Sequence, residues 1–154
     1  MDSIDDIDKK ILTELQRDSR ITNKELSEIL GMSTSPVFER VKKLEKSGFI
    51  KDYVALLDRK KLGKNLMAMI AVSLSQHNKK LITSFIDKVS CLPEVLEAYH
   101  TTGRSDFLLK VIIADMDEYQ DFVLNKLSTI AEVSQMETSF VMSEIKNSTA
   151  ININ

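Results

Sequence analysis

Residues 32 to 50 read MSTSPVFERVKKLEKSGFI, three hydroxyl residues and a proline followed by an alternation of apolar and charged residues that stops at Gly48. If Val37, Val41 and Leu44 face a core, helical periodicity turns Ser35, Glu39, Lys42 and Lys46 outward and leaves Phe38 and Lys43 on the flanks. A face of that kind suits the major groove of DNA. Lysine ammonium groups make salt-sensitive contacts to phosphate or guanine, and a carboxylate such as Glu39 can accept from the cytosine amino group. Ser33, Thr34 and Ser35 stand at the helix start, where hydroxyls and free backbone N–H groups can hold a phosphate. Arg40 joins the basic candidates, and Thr22, Asn23 and Lys24, opening the preceding helix, are further candidates for the DNA backbone. The bland alternative is a solvated lysine face behind a serine cap.

Charge distribution bears on that choice. The whole chain of 154 residues has a net charge of only −2. Residues 40–64, however, carry 9 Lys/Arg against 3 Asp/Glu, net +6, between two segments of net −4 each. A basic belt inside an acidic chain is the local footprint that phosphate contacts require.

The rest of the composition narrows the function classes. Apolar residues make up 43%, ordinary for a globular protein with a core. No apolar run approaches the roughly 18 residues of a membrane span, and the acidic start MDSIDDIDKK has no secretion-signal order. A single cysteine, Cys91, excludes an intrachain disulfide and makes the cytoplasm the expected compartment. With only His77 and His100 besides, no metal site and no cofactor are expected.

These candidates need elements to position them. Ile4, Ile7, Ile11, Leu12 and Leu15 recur at helical spacing, with Asp5, Asp6 and Asp8 early, where helix dipoles favour acids. Thr22 or Asn23 can cap a second helix, KELSEIL, which Gly31 ends. Ser33 can cap the third, with Pro36 in its first turn. Two short helices joined by GMS form a helix-turn-helix pattern. IKDYVALLD then reads as a strand and RKKLGKN as a basic linker.

From Leu66 the order is strand, helix, strand, strand, helix, strand: LMAMIAVSLS, KKLITSFIDKVS, EVLEAYHTT, DFLLKVIIAD, MDEYQDFVLNKLS and VSQMETSFVMSEI. That is a ferredoxin-like β-α-β-β-α-β plait. The expected organisation is α+β: a helix-turn-helix domain over residues 1–50, a strand and linker over 51–64, the plait over 65–147, and a loose tail over 148–154.

Residues 5–63, from DDIDKKILTEL through FIKDYVALLDRKKLG, resemble the N-terminal half of the Lrp/AsnC (feast/famine) transcription regulators. TTGRSDFLLKV followed by VSQMETSFVMSEIK resembles that family's effector-binding domain, in the expected order. The resemblance implies a winged helix-turn-helix domain with its recognition helix over Ser33 to Ser47, and a ferredoxin-like ligand domain. It also implies double-stranded DNA as partner, and dimers that assemble further, often to octamers. Amino-acid effectors, leucine-like or methionine-like, would bind between dimers. The family's ligand loop maps onto Gly103 and Asp106. Arg104 departs from the acidic residue often found there, and STIAEV replaces a more usual proline-glycine turn before the last strand.

In TTGRSDF a glycine between strands permits positive φ, and Asp106 can simply cap the connection. The functional alternative uses the same atoms. Backbone N–H groups around Gly103, Arg104 and Ser105 would receive an α-carboxylate, and Asp106 would accept from an α-ammonium. Thr101, Thr102, Thr138 and Ser139 would supply hydroxyls, and Met136 an apolar wall. An amino acid bound there at a dimer–dimer contact is the expectation. His100 reads as a surface histidine, Cys91 as a buried small hydrophobe, and Met67 and Met69 as interface or core. Two rival classes follow: an amino-acid-sensing module whose first domain is vestigial or binds a protein, and a plait enzyme working through His100 or Cys91. No phosphate loop or nucleophile elbow supports the enzyme.

Overall fold

The computed structural model describes residues 4–130 and 132–153. Two compact units form: residues up to 56 together with those from 146 onward, and residues 57–145.

The first unit holds three helices, α1 (Asp6–Arg17), α2 (Asn23–Leu30) and α3 (Thr34–Lys46). Reciprocal capping boxes start the first two, Asp5 with Asp8 and Thr22 with Glu25. Each satisfies backbone donors that a helix start leaves open. Gly31 ends α2 in the left-handed region, φ 64°, and turns the chain into α3. Ser33 occupies the cap position of α3 as expected, but its side chain makes no cap hydrogen bond. Ile11, Leu26, Val37, Val41 and Leu44 form the core, so the helical stripes read from spacing are the faces that bury.

Two expectations fail near this unit. IKDYVALLD forms no strand: residues 51–58 have no regular secondary structure. A strand needs a ladder partner, and Val54, Leu56 and Leu57 are exposed here instead. The tail expected to be loose is fastened: Gln16 Nε2 donates to the Ile151 carbonyl at 3.0 Å, and the Ile151 N–H donates to Gln16 Oε1 at 2.6 Å.

The second unit is the plait. Its elements are β1 (Leu66–Leu74), α4 (Lys79–Ser90), β2 (Val95–His100), β3 (Phe107–Ile113), α5 (Met116–Asp121) and β4 (Val133–Phe140). The antiparallel sheet runs β2-β3-β1-β4. Past Asp121, α5 continues as a π-helical segment, Phe122–Leu127, which spacing did not announce. The core lies between helices and sheet, with Phe85, Phe107, Leu109 and Phe122 at its centre. The STIAEV corner includes Ala131, which lies outside the described residues. Cys91, expected to be buried, is exposed at the end of α4. Its position just past the last helical turn, off the Phe85–Val89 stripe, explains that.

Candidate functional site

Two groups of residues carry candidate chemistry, one on α3 and one at the β2–β3 connection. On α3, Ser33, Thr34, Ser35, Phe38, Glu39, Lys42, Lys43 and Lys46 are all exposed, opposite buried Val37, Val41 and Leu44. The Lys42 ammonium lies 4.4 Å from the Phe38 ring centre, a cation–π contact that holds the lysine over the aromatic face. Thr34 Oγ1 lies 3.4 Å from Ser27 Oγ across the turn, which ties the start of α3 to α2. Lys24 is exposed, Asn23 is half-buried, and the Thr22 hydroxyl is engaged in the capping box with Glu25.

Arg40 is the exception among the basic candidates. Its guanidinium donates to Asp5 Oδ2 and to Asp8 Oδ1, both at 2.7 Å. Asp8 is 5% exposed, so Arg40 neutralises a carboxylate that α1 buries. Those two carboxylates raise the Arg40 pKa further, and the Asp8 N–H, then Arg40, hold Asp5 below its ordinary value. The side chain therefore pins α3 to α1 and does not extend the outward face.

At the β2–β3 connection, the Thr101 N–H donates to the Asp106 carbonyl at 2.8 Å and the Asp106 N–H donates to the Val72 carbonyl at 2.9 Å. The Thr101 hydroxyl donates to the Ser105 carbonyl at 3.0 Å. Thr102, Gly103 and Arg104 project from this closed loop and are exposed. Gly103 has φ 117°, a conformation that side chains with a Cβ rarely adopt. The Asp106 carboxylate accepts from the Leu74 N–H at 2.7 Å, and its other oxygen lies 2.7 Å from His77 Nε2. The Leu74 N–H holds Asp106 below the usual carboxylate range against the opposing push of burial, and His77 adds a smaller downward pull.

Of the remaining expected effector residues, Thr138 and Ser139 lie away from this loop, while Met136 pairs with Val72, whose carbonyl meets the Asp106 N–H. Met136 packs against the core, and Thr138 receives a hydrogen bond from the Tyr119 hydroxyl at 2.8 Å. Ser139 pairs with Met69, several residues along β1 from the Val72 that meets the loop. At about 3.3 Å per residue that separation is near 10 Å. Two further neighbours at this end of the sheet are Ser73, whose hydroxyl donates to the Arg104 carbonyl at 3.5 Å, and Ser134, which donates to the Ser73 carbonyl at 3.0 Å. Neither they nor His77 were singled out by spacing, because contact across strands depends on register. His100 lies on the surface, as expected, and stacks on Phe107 at 4.7 Å between ring centres.

A small helical unit with a basic, outward-facing third helix, joined to a sheet-and-helix ligand domain, defines a DNA-binding regulator. Residues 4–51 match the family of winged helix-turn-helix DNA-binding domains, and residues 67–151 match the Lrp/AsnC ligand binding domain. The chain is 37% identical to the transcriptional regulator AzlB of Bacillus subtilis, over 97% of this chain and 96% of that one. It is 38% identical to the leucine-responsive regulatory protein of Rhizobium meliloti over the same shares of the two chains. Among solved structures, a transcriptional regulator of Neisseria meningitidis in complex with L-methionine superposes with a TM-score of 0.94. That protein is 38% identical, and the match covers 99% of this chain and 98% of that one. AsnC of Escherichia coli superposes at 0.90, with 31% identity over 97% and 99%. The chain belongs to the Lrp/AsnC family of transcription regulators. The enzyme class falls away, because the relatives that match it end to end are regulators. Among the described residues no helix is long and apolar enough to cross a membrane.

Proposed function

We propose that this regulator binds double-stranded DNA through the outward face of α3 and responds to an amino acid held at the 101–106 loop. The observation that carries the first half is the face itself. Lys42 over Phe38, with Lys43, Lys46, Glu39 and the Ser33–Ser35 hydroxyls, stands clear of the domain core. Thr22, Asn23 and Lys24 would flank it along the phosphates, and Arg40 would act by fixing the pose of α3.

The second half is supported by the exposed Gly103 turn beside a fixed carboxylate, Asp106, and by the relative solved with L-methionine. A methionine-like or leucine-like effector would place its ammonium on Asp106 and its carboxylate on the N–H groups of the turn. Because Thr102, Gly103 and Arg104 are exposed in one protomer, a second copy would supply the far wall. The site would then lie at a dimer–dimer contact, with Met136 at its edge and Thr138 and Ser139 contributing from another subunit. An effector that favours one assembly, up to an octamer, would change the spacing of the DNA-reading helices. The cytoplasm is the compartment in which such a regulator would meet both ligands.

Calorimetric titration with L-methionine and L-leucine tests the effector site. The wild type binds at least one, and Asp106→Asn loses that binding by tenfold or more. Unchanged binding by Asp106→Asn contradicts the assignment.

A further inference from the structure

The chain has two histidines, and both stand close to Asp106. His77 Nε2 lies 2.7 Å from Asp106 Oδ1, and His100, at the end of β2, pairs with Phe107, the residue after Asp106. The two halves of the His77–Asp106 pair differ in freedom. Asp106 cannot swing away. Its N–H and carbonyl are tied to Val72 and Thr101, its second carboxylate oxygen takes the Leu74 N–H, and its side chain is 18% exposed. His77 sits in the irregular segment between β1 and α4, with a side chain 68% exposed. A cation arriving at this carboxylate therefore meets the oxygen that the imidazole already holds.

We propose that His77 is a placeholder for the effector's ammonium group: it occupies Asp106 Oδ1 in the free protein and yields it to an amine-bearing ligand. This rests on the effector site proposed above and adds the residue that holds down its affinity for amine-bearing ligands. The exchange is chemically matched. The imidazole presents one N–H to the carboxylate, whereas an ammonium brings three donors. A carboxylic acid lacking the amine has nothing to place on Oδ1 and leaves His77 where it is. His77 is thus a positioning residue whose removal helps the ligand.

The test is calorimetry of the full-length protein with L-methionine and with its deaminated analogue, together with imidazole nitrogen spectra of labelled protein. His77→Ala binds L-methionine roughly fivefold tighter, the worth of one exposed hydrogen bond, and gains nothing for the deaminated analogue. His77→Gln restores a donor to Oδ1 and brings the affinity back toward wild type. Saturating L-methionine moves the His77 signal to its position in Asp106→Asn. If His77→Ala binds L-methionine no tighter while Asp106→Asn binds it poorly, the placeholder is wrong and the effector site stands. Equal gains for both ligands also overturn it. If Asp106→Asn binds like wild type, or wild type binds neither L-methionine nor L-leucine, the site reading falls and takes the placeholder with it.

Discussion

The guanidinium of Arg40 reaches back across the helical domain to Asp5 and Asp8. Helical period places a residue on a face, and Arg40 sits on a flank where either DNA or α1 is within reach of its long side chain. The buried Asp8 decides the matter, because an unpaired carboxylate in that position costs more than an exposed phosphate contact returns. Arg40→Met leaves the carboxylate unpaired and destabilises the domain by about 2 kcal/mol in thermal or denaturant unfolding. It should leave the salt dependence of DNA binding as it was. Lys42→Ala should do the reverse, holding stability while lowering the slope of log affinity against log salt by about 1. A stability loss for Lys42→Ala with an unchanged slope would remove it from the DNA face. His77 was beyond the reach of pattern for a related reason. Nothing in SLSQHNKK marks a histidine that meets an aspartate 29 residues later, since only the sheet register brings them together.

Helices were legible as elements because each carries its own signal. Thr22 with Glu25 forms a capping box, Gly31 adopts the left-handed stop, and Val37, Val41 and Leu44 share a face. The plait order was legible because apolar strand runs and amphipathic helices alternate. IKDYVALLD misled because its β-branched and aromatic residues report a liking for sheet surfaces, not the presence of a neighbour. Tyr53 instead donates its hydroxyl to Glu45 at 3.0 Å, and burial followed by that carboxylate pushes its pKa up to about 12. The π-helical segment after Asp121 and the Gln16–Ile151 clamp depend on side-chain fit, and periodicity carries neither. At this scale the Thr22 hydroxyl is a cap before it is a DNA contact. Thr22→Ala should cost about 1 kcal/mol of stability, most of which Thr22→Ser recovers. Full stability in Thr22→Ala would show that the capping box contributes nothing.

Taken whole, the molecule is mildly acidic, pI about 5.7, yet presents its basic belt over residues 40–64. Its carboxylates are largely committed. The Asp8 N–H holds Asp5, the Thr22 N–H holds Glu25, Lys64 holds Glu118 and Lys88 holds Glu132, each below the ordinary carboxylate range. A depressed folded pKa stabilises fully above the unfolded value of about 4 and is lost as pH falls through the lower folded value. Thermal midpoints should therefore be level at mildly acidic pH and fall steeply below about pH 4. A midpoint unchanged well below that pH would mean these pairs contribute nothing.

The most direct measurement is fluorescence anisotropy of the full-length protein on its own upstream DNA, across a salt series, with and without L-methionine and L-leucine. The upstream DNA should bind tighter than random DNA, with an affinity that falls steeply with salt and shifts when an effector is added. Binding to upstream DNA no tighter than to random DNA, unmoved by either amino acid, would contradict the proposed function.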